Sequence, residues 1–297
     1  MNSYRLGLYE KAMPNTLTLS EKLLTTKLSE FDFLELSIDE TDEKLARLDW
    51  EDKQIESLKQ LMEHHQVFIQ SICLSGHRRF PLGSETDDIR EKALSIMIKA
   101  ISLAYRLGIR YIQIAGYDEY YKPSNQKTKA LFLEGLKKSV HVAATYGVVL
   151  GFETMETEFM NTVEKAMHYV NAIKSPYLGV YPDIGNLTNA QEGQGSLVVK
   201  DLMKGEGHLI AAHLKETKPN IFRNLTFGEG HTNYPLLLNE LARQGVHLFV
   251  GEFWYNGEED WQHNINQAAK FLREKIEGVM WSWNVSNKVM LYPKGLV

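Results

Sequence analysis

Short apolar runs alternate along the chain with longer segments whose apolar residues recur every three or four positions. The runs occupy residues 5–9, 33–38, 67–74 and 111–115 in the first half, and 148–152, 178–181, 209–213 and 248–251 in the second. Runs this short and this uniformly apolar predict strands buried on both faces, as in a parallel sheet covered by helices. Between them, residues 87–107 place Ile89, Ala93, Ile96, Met97, Ala100, Ile101 and Ala104 along one helical face. Residues 126–145 repeat the pattern with Ala130, Leu131, Leu133, Leu136, Val140 and Ala143. Gly108, Gly147 and Gly245 stand just before strands and fit left-handed C-terminal caps, while Ser84 with Asp87 resembles an N-terminal capping box. Strand starts recur about every 35 residues, room for one strand–helix unit each. Eight such units in roughly 275 residues predict an α/β fold, a single (β/α)8 TIM barrel, with a doubly wound open sheet as the competitor that strand counting leaves open. The predicted barrel domain is residues 1–275, followed by a C-terminal extension, residues 276–297. Trp281, Trp283, Val289, Met290, Leu291 and Tyr292 of that extension are expected to cover a barrel face or a neighbouring subunit.

Composition narrows the class. The 297 residues are 43% hydrophobic and 24% charged, close to the globular average, which argues against disordered, collagenous and disulfide-rich readings. A lone cysteine, Cys73, cannot form an internal disulfide and fits a reducing compartment. No apolar stretch reaches the ~18 residues of a membrane span, and the first residues lack a signal-peptide layout, so a cytoplasmic protein without a membrane partner is expected. A formal net charge of −5 speaks against non-specific nucleic-acid binding, which needs a basic surface.

In a barrel, chemistry gathers where the strands end. The last four predicted strands end in, or run directly into, Glu153, Asp183, His213 and Glu252. A carboxylate directly after a buried apolar run is costly unless its desolvation is compensated. Three oxygen donors and one imidazole suit a single divalent ion (Zn, Mn, Co or Mg), and the absence of cysteine from the set argues against a soft metal. Such an ion can hold the carbonyl and adjacent hydroxyl oxygens of a sugar and stabilise the enediolate formed on proton loss. Glu153 and Glu252 come from strands three apart in the ring. They are therefore expected to flank one carbon as interchangeable acid and base, the arrangement of a non-redox epimerase.

At these residues the sequence resembles the xylose-isomerase-like TIM-barrel superfamily. Longer motifs resemble one member family, the L-ribulose/L-xylulose-5-phosphate 3-epimerases: Gly7-Leu8-Tyr9-Glu10-Lys11-Ala12, Ser37-Ile38-Asp39-Glu40-Thr41-Asp42-Glu43, Arg47-Leu48-Asp49-Trp50, His77-Arg78-Arg79-Phe80-Pro81-Leu82-Gly83-Ser84, Ala115-Gly116-Tyr117-Asp118, Tyr181-Pro182-Asp183-Ile184-Gly185-Asn186-Leu187 and Phe227-Gly228-Glu229-Gly230. The resemblance implies that Glu153 and Glu252 are the acid/base pair, that Asp183 and His213 complete the metal shell, and that Glu156 touches substrate. Non-phosphorylated ketose 3-epimerases usually carry a histidine shortly after the strand-six aspartate; Ile184-Gly185-Asn186 stands here instead, which favours the phosphate-specific branch. The phosphate would need cations at the loop face, and the candidates are Lys11, His77, Arg78, Arg79, Lys215, Lys218 and Arg223. Glu10 and Glu35 also reach the mouth and are expected to pair with these cations. The resemblance implies metal-dependent interconversion of L-xylulose and L-ribulose 5-phosphates by a homodimer. Hexulose-6-phosphate isomerisation is the alternative, with an endonuclease-IV-like repair enzyme and a non-catalytic sugar-binding barrel as more distant ones.

Overall fold

The structure, a computed structural model, describes residues 4–290, with side chains described to residue 279. Strands and helices alternate, with two helices after β2 and after β6: β1 (Arg5–Tyr9), α1 (Leu19–Leu28), β2 (Phe33–Ile38), α2 (Asp42–Leu45), α3 (Asp52–His65), β3 (Phe68–Leu74), α4 (Asp87–Leu107), β4 (Tyr111–Ala115), α5 (Gln126–Tyr146), β5 (Val149–Glu153), α6 (Val163–Ile173), β6 (Leu178–Tyr181), α7 (Ile184–Ala190), α8 (Gly195–Met203), β7 (Ala212–Leu214), α9 (Tyr234–Arg243), β8 (Leu248–Gly251) and α10 (Trp261–Met290). The strands pair in the order β6-β5-β4-β3-β2-β1-β8-β7, all parallel. Pairing of β1 with β8 joins the two ends of the chain's strand series, which an open doubly wound sheet does not do. The fold is a TIM barrel.

The seam between β6 and β7 is held by isolated bridges, Val180 with Leu209 and Asp183 with His213. Pro182 lies between them and has no N–H to give to a ladder, which accounts for the broken pairing. For the same reason β7 is shorter than the run at 209–213 predicts and begins at Ala212. The second bridge sets two of the predicted ligands side by side.

The apolar runs do what their pattern dictates. All six residues of β2 are buried, and the buried faces of α4 and α5 cover the sheet from outside, that of α5 running through Phe132, Leu136, Val140 and Ala143 while the predicted Ala130 is exposed. Gly108 (φ 75°) and Gly147 (φ 66°) end α4 and α5 in the left-handed conformation that glycine adopts without a Cβ penalty. The predicted capping box is corrected: the residue before α4 is Thr86, and Ser84 Oγ instead accepts from the Thr86 N–H at 3.3 Å. The final helix runs unbroken from Trp261 to Met290. The side chains of Trp281, Trp283, Val289 and Met290, and all of Leu291 and Tyr292, lie outside the described residues. Among the described residues, no helix is long and apolar enough to cross a membrane.

Candidate metal and active site

Four strand ends converge on one point. Glu153 closes β5, Asp183 follows β6 and caps α7, His213 lies in β7, and Glu252 follows β8. All four are buried, and one ligand atom from each lies within 4.8 Å of the others. Local structure aims them. Asp183 Oδ1 accepts the N–H groups of Gly185 (2.8 Å) and Asn186 (2.9 Å), so the carboxylate is fixed by the first turn of α7 and its Oδ2 is left facing the centre. Glu153 accepts from the side-chain amide of Gln113 on β4 through Oε2, and its Oε1 lies 3.1 Å from His213 Nδ1. Nδ1 is also 3.6 Å from Glu252 Oε2. Buried Lys215 places Nζ 3.2 Å from Asp183 Oδ2, 3.3 Å from Glu252 Oε2 and 3.2 Å from Asn186 Oδ1, with its ammonium 5.0 Å from the centre of the Trp254 ring.

The electrostatics are those of crowded acids. Burial, reinforced by Glu252, raises the Glu153 carboxyl above its usual range despite His213 and Lys215. Burial likewise drives Asp183 well up, with Lys215 opposing and Glu252 and Glu153 adding to the rise. At Glu252 burial is outweighed by the charges of Lys215 and His213, and the group falls to about 2. For His213 burial disfavours the imidazolium, but Glu35, Glu252 and Glu153 together lift it well above the ordinary histidine value. Four acids, Glu35, Glu153, Asp183 and Glu252, thus crowd around one ammonium and one imidazole in a buried space.

These residues fit a divalent ion. Asp183 Oδ2 and Glu252 Oε2 are buried and accept no hydrogen bond of good geometry, although Lys215 is within ion-pairing distance of both. Buried acceptors left this way are expensive, and three carboxylates with one imidazole are the donor set of a hard or borderline cation.

The predicted phosphate cations divide. Lys11 pairs with Asp39 at 2.5 Å; Arg78 lies 3.9 Å from Glu40 and 4.4 Å over the Tyr120 ring; Arg223 lies 3.9 Å from Glu156 and 5.0 Å over Trp254. Glu156 also accepts from the Tyr120 hydroxyl at 3.3 Å. These groups link the loops after β1, β2, β3, β4, β5, β7 and β8. His77 and Arg79 are not part of that set. The His77 ring is buried with Nε2 3.1 Å from the Ala93 carbonyl of α4, and burial lowers its pKa to about 4, so it is neutral at pH 7. Arg79 turns outward to Asp42 at 2.7 Å. Lys218 stands in a tight turn whose backbone pairs it with Ile221.

Two expectations for acids need correction. Glu10 does pair with cations, but with Lys22, Lys44 and Arg47 beneath the loops rather than with the mouth residues. Glu35 pairs with none of those mouth cations: its Oε1 lies 2.7 Å from His213 Nε2, and its Oε2 accepts from Ser71 (2.6 Å) and Tyr181 (3.1 Å). Gln113 and Asn186 are the other polar groups around the centre that sequence reading missed. An acid or amide inside an apolar strand, as in Phe33-Leu34-Glu35-Leu36 and Ile112-Gln113-Ile114, was the available signal.

Comparison with known proteins agrees with the geometry. The family described as xylose isomerase-like TIM barrel matches residues 26–275. The L-ribulose-5-phosphate 3-epimerase UlaE of Escherichia coli O157:H7 is 41% identical over 272 residues, covering 91% of this chain and 94% of that one. A putative L-ribulose-5-phosphate 3-epimerase UlaE of Shigella dysenteriae serotype 1 matches to the same extent. Among solved structures, a D-tagatose 3-epimerase-like protein superposes with a TM-score of 0.77 at 20% identity, covering 94% of this chain and 99% of that one. An L-ribulose 3-epimerase gives 0.73 at 16% identity, covering 95% and 98%. At such identities the two structures speak for the fold.

Proposed function

The chain belongs to the xylose isomerase-like TIM-barrel family and, within it, to the L-ribulose-5-phosphate 3-epimerases; from that premise we propose that it interconverts L-ribulose 5-phosphate and L-xylulose 5-phosphate, with Glu153 and Glu252 transferring the proton. The observation that supports this most is the convergence of Glu153, Asp183, His213 and Glu252 within 4.8 Å at the loop end of the barrel. These four would hold the divalent ion. When bound, the ion supplies electrostatic stabilisation for the negative charge that develops on the sugar oxygens as the proton at C3 leaves.

The protein groups do the rest. Glu153 and Glu252 approach from β5 and β8, so a substrate carbon between them is open to one carboxylate on each face. One glutamate accepts the C3 proton, which leaves that carbon planar. The other then delivers a proton to the opposite face and inverts the centre. Gln113 holds the glutamate on β5 by its Oε2, which restricts that carboxylate to one approach. Trp254 and Tyr120 stack on cations at the mouth and supply apolar walls that keep water from the planar carbon. Lys11, Arg78 and Arg223 are the phosphate-facing cations in this reading. Each is held by an acid, Asp39, Glu40 or Glu156, so that a dianionic phosphate exchanges one anionic partner for a stronger one.

The test is one NMR time course in D₂O. Purified protein supplied with Mn²⁺ should convert L-xylulose 5-phosphate into L-ribulose 5-phosphate carrying deuterium at C3, and EDTA should stop it. Glu153→Gln and Glu252→Gln should each abolish C3 exchange, a loss of at least about 100-fold for a general acid or base. Deuterium at C1 or C2 would instead indicate aldose–ketose isomerisation, and full activity in either variant would remove the two-glutamate scheme.

A further inference from the structure

His213 offers two ring nitrogens, and only one faces the other ligands. Nδ1 lies 3.1 Å from Glu153 and 3.6 Å from Glu252, whereas Nε2 lies 2.7 Å from Glu35 Oε1 on the far side of the ring. Both His213 and Glu35 are fully buried. The second oxygen of Glu35 is itself fixed, accepting from Ser71 on β3 and Tyr181 on β6. The Tyr181 ring also packs edge-on against the imidazole, with centroids 4.9 Å apart. Three strands besides β7 therefore determine the orientation of one imidazole.

We propose that Glu35 is the positioning residue of the metal centre: it takes the Nε2–H of His213, holds the ring in the tautomer whose Nδ1 lone pair faces Glu153, Asp183 and Glu252, and thereby sets the affinity of the site for a divalent ion. The proposal rests on the metal reading given above. A nitrogen that binds a cation must present its lone pair, so the single ring proton of a neutral imidazole goes to the other nitrogen. A carboxylate there orients the ring and makes it a better donor. Here the carboxylate comes from the barrel interior of β2, a strand that gives no ligand itself. Burying this fourth acid is costly without partners, and the partners it has are His213, Ser71 and Tyr181.

Zn²⁺ binding to metal-stripped protein, measured by competition with a chromophoric chelator, should weaken about 10- to 100-fold in Glu35→Ala. Glu35→Gln, which keeps an oxygen that can accept from Nε2, should lose much less. In Zn²⁺-loaded, ¹⁵N-histidine-labelled parent protein, two-bond ¹H–¹⁵N correlations should show His213 protonated at Nε2 and that proton protected from exchange. Glu35→Ala should lose the protection and Glu35→Gln should shift the Nε2–H signal, whereas a purely structural role would change the melting temperature and leave both readouts alone. Parent-like Zn²⁺ affinity in Glu35→Ala, or a His213 that carries its proton on Nδ1, overturns the proposal. Should Glu35→Ala not fold, an Nε2–H signal and affinity unchanged in Glu35→Gln overturn it equally. A parent protein that binds no Zn²⁺ or Mn²⁺ would remove the metal reading itself, and this inference with it.

Discussion

Replacing Glu10 by glutamine should destabilise the barrel by about 3–5 kcal/mol, because three buried cations depend on that one carboxylate. Glu10 sits in the 3₁₀ turn after β1. Its two oxygens accept from Lys22 Nζ (2.8 Å), Lys44 Nζ (2.7 Å), both terminal nitrogens of Arg47 (2.6 and 2.8 Å) and the Ser37 N–H (2.9 Å). Glutamine retains the shape and one acceptor but removes the charge. Lys22, Lys44 and Arg47 would then be buried together with no anion among them. Removing one partner of a single buried pair costs about 3–5 kcal/mol, and the crowding of three cations makes that range a floor. A chain of 297 residues has an unfolding entropy of roughly 0.6 kcal/mol/K, so the melting temperature should fall by about 5–8 °C. The measurement is thermal unfolding followed by far-UV circular dichroism at pH 7.5 on metal-stripped proteins, because a bound ion would itself raise stability.

Acid supplies a second readout. Burial opposes ionisation of Glu10, but the bonds and charge of Arg47, then Lys22 and Lys44, hold the carboxyl well below the usual carboxylate range. A folded-state value below the unfolded one gives stability that is complete above the unfolded value, near pH 4.5, and is lost as pH falls through the folded one. The gap in melting temperature between parent and Glu10→Gln should therefore narrow steadily below about pH 4.5. A variant that melts within about 1 °C of the parent at pH 7.5, or a gap constant down to pH 3, would refute the reasoning.

Two further outcomes follow from the site description. His77 is buried and neutral with its pKa lowered to about 4, below the unfolded value near 6.5. Its contribution is complete above pH 6.5 and is lost as pH falls toward 4, by about 3 kcal/mol; His77→Gln should flatten that part of the pH–stability curve and leave KM for the sugar phosphate unchanged. Lys11→Met and Arg78→Met should each raise KM for L-ribulose 5-phosphate by roughly 10- to 150-fold, the worth of one charge-assisted hydrogen bond, with kcat nearly constant. The same variants should leave turnover of unphosphorylated L-ribulose unchanged, and an equal effect on both sugars would move the phosphate elsewhere.

What could be read from the sequence, and what could not, follows from how far each residue's energetic reason extends along the chain. Alternating apolar runs and helical stripes are local, so eight strand–helix units and their capping glycines were legible. The broken ladder beside Pro182 and the cap at Thr86 depended on pairing and turn geometry, and there the predicted boundaries moved. Glu153, Asp183, His213 and Glu252 were legible because a polar group directly after a buried run incurs a desolvation cost that demands a partner. The same logic applied to Glu35, inside the apolar Phe33–Ile38 run, but its partner His213 is 178 residues away and nothing near Glu35 points to it. Glu10 hid for the opposite reason: Lys22, Lys44 and Arg47 stand on short helical segments, where a cation reads as solvated until the loops are folded over it. The basic triplet His77-Arg78-Arg79 shows the limit most clearly. A 3₁₀ turn has three residues per turn, so consecutive side chains leave it about 120° apart and cannot all serve one ligand. His77 goes into the core, Arg79 goes out to Asp42, and Arg78 alone joins the aromatic and acidic groups of the mouth. In such a turn a basic triplet therefore supplies one mouth cation, and which of the three it is depends on the turn's rotation against the barrel.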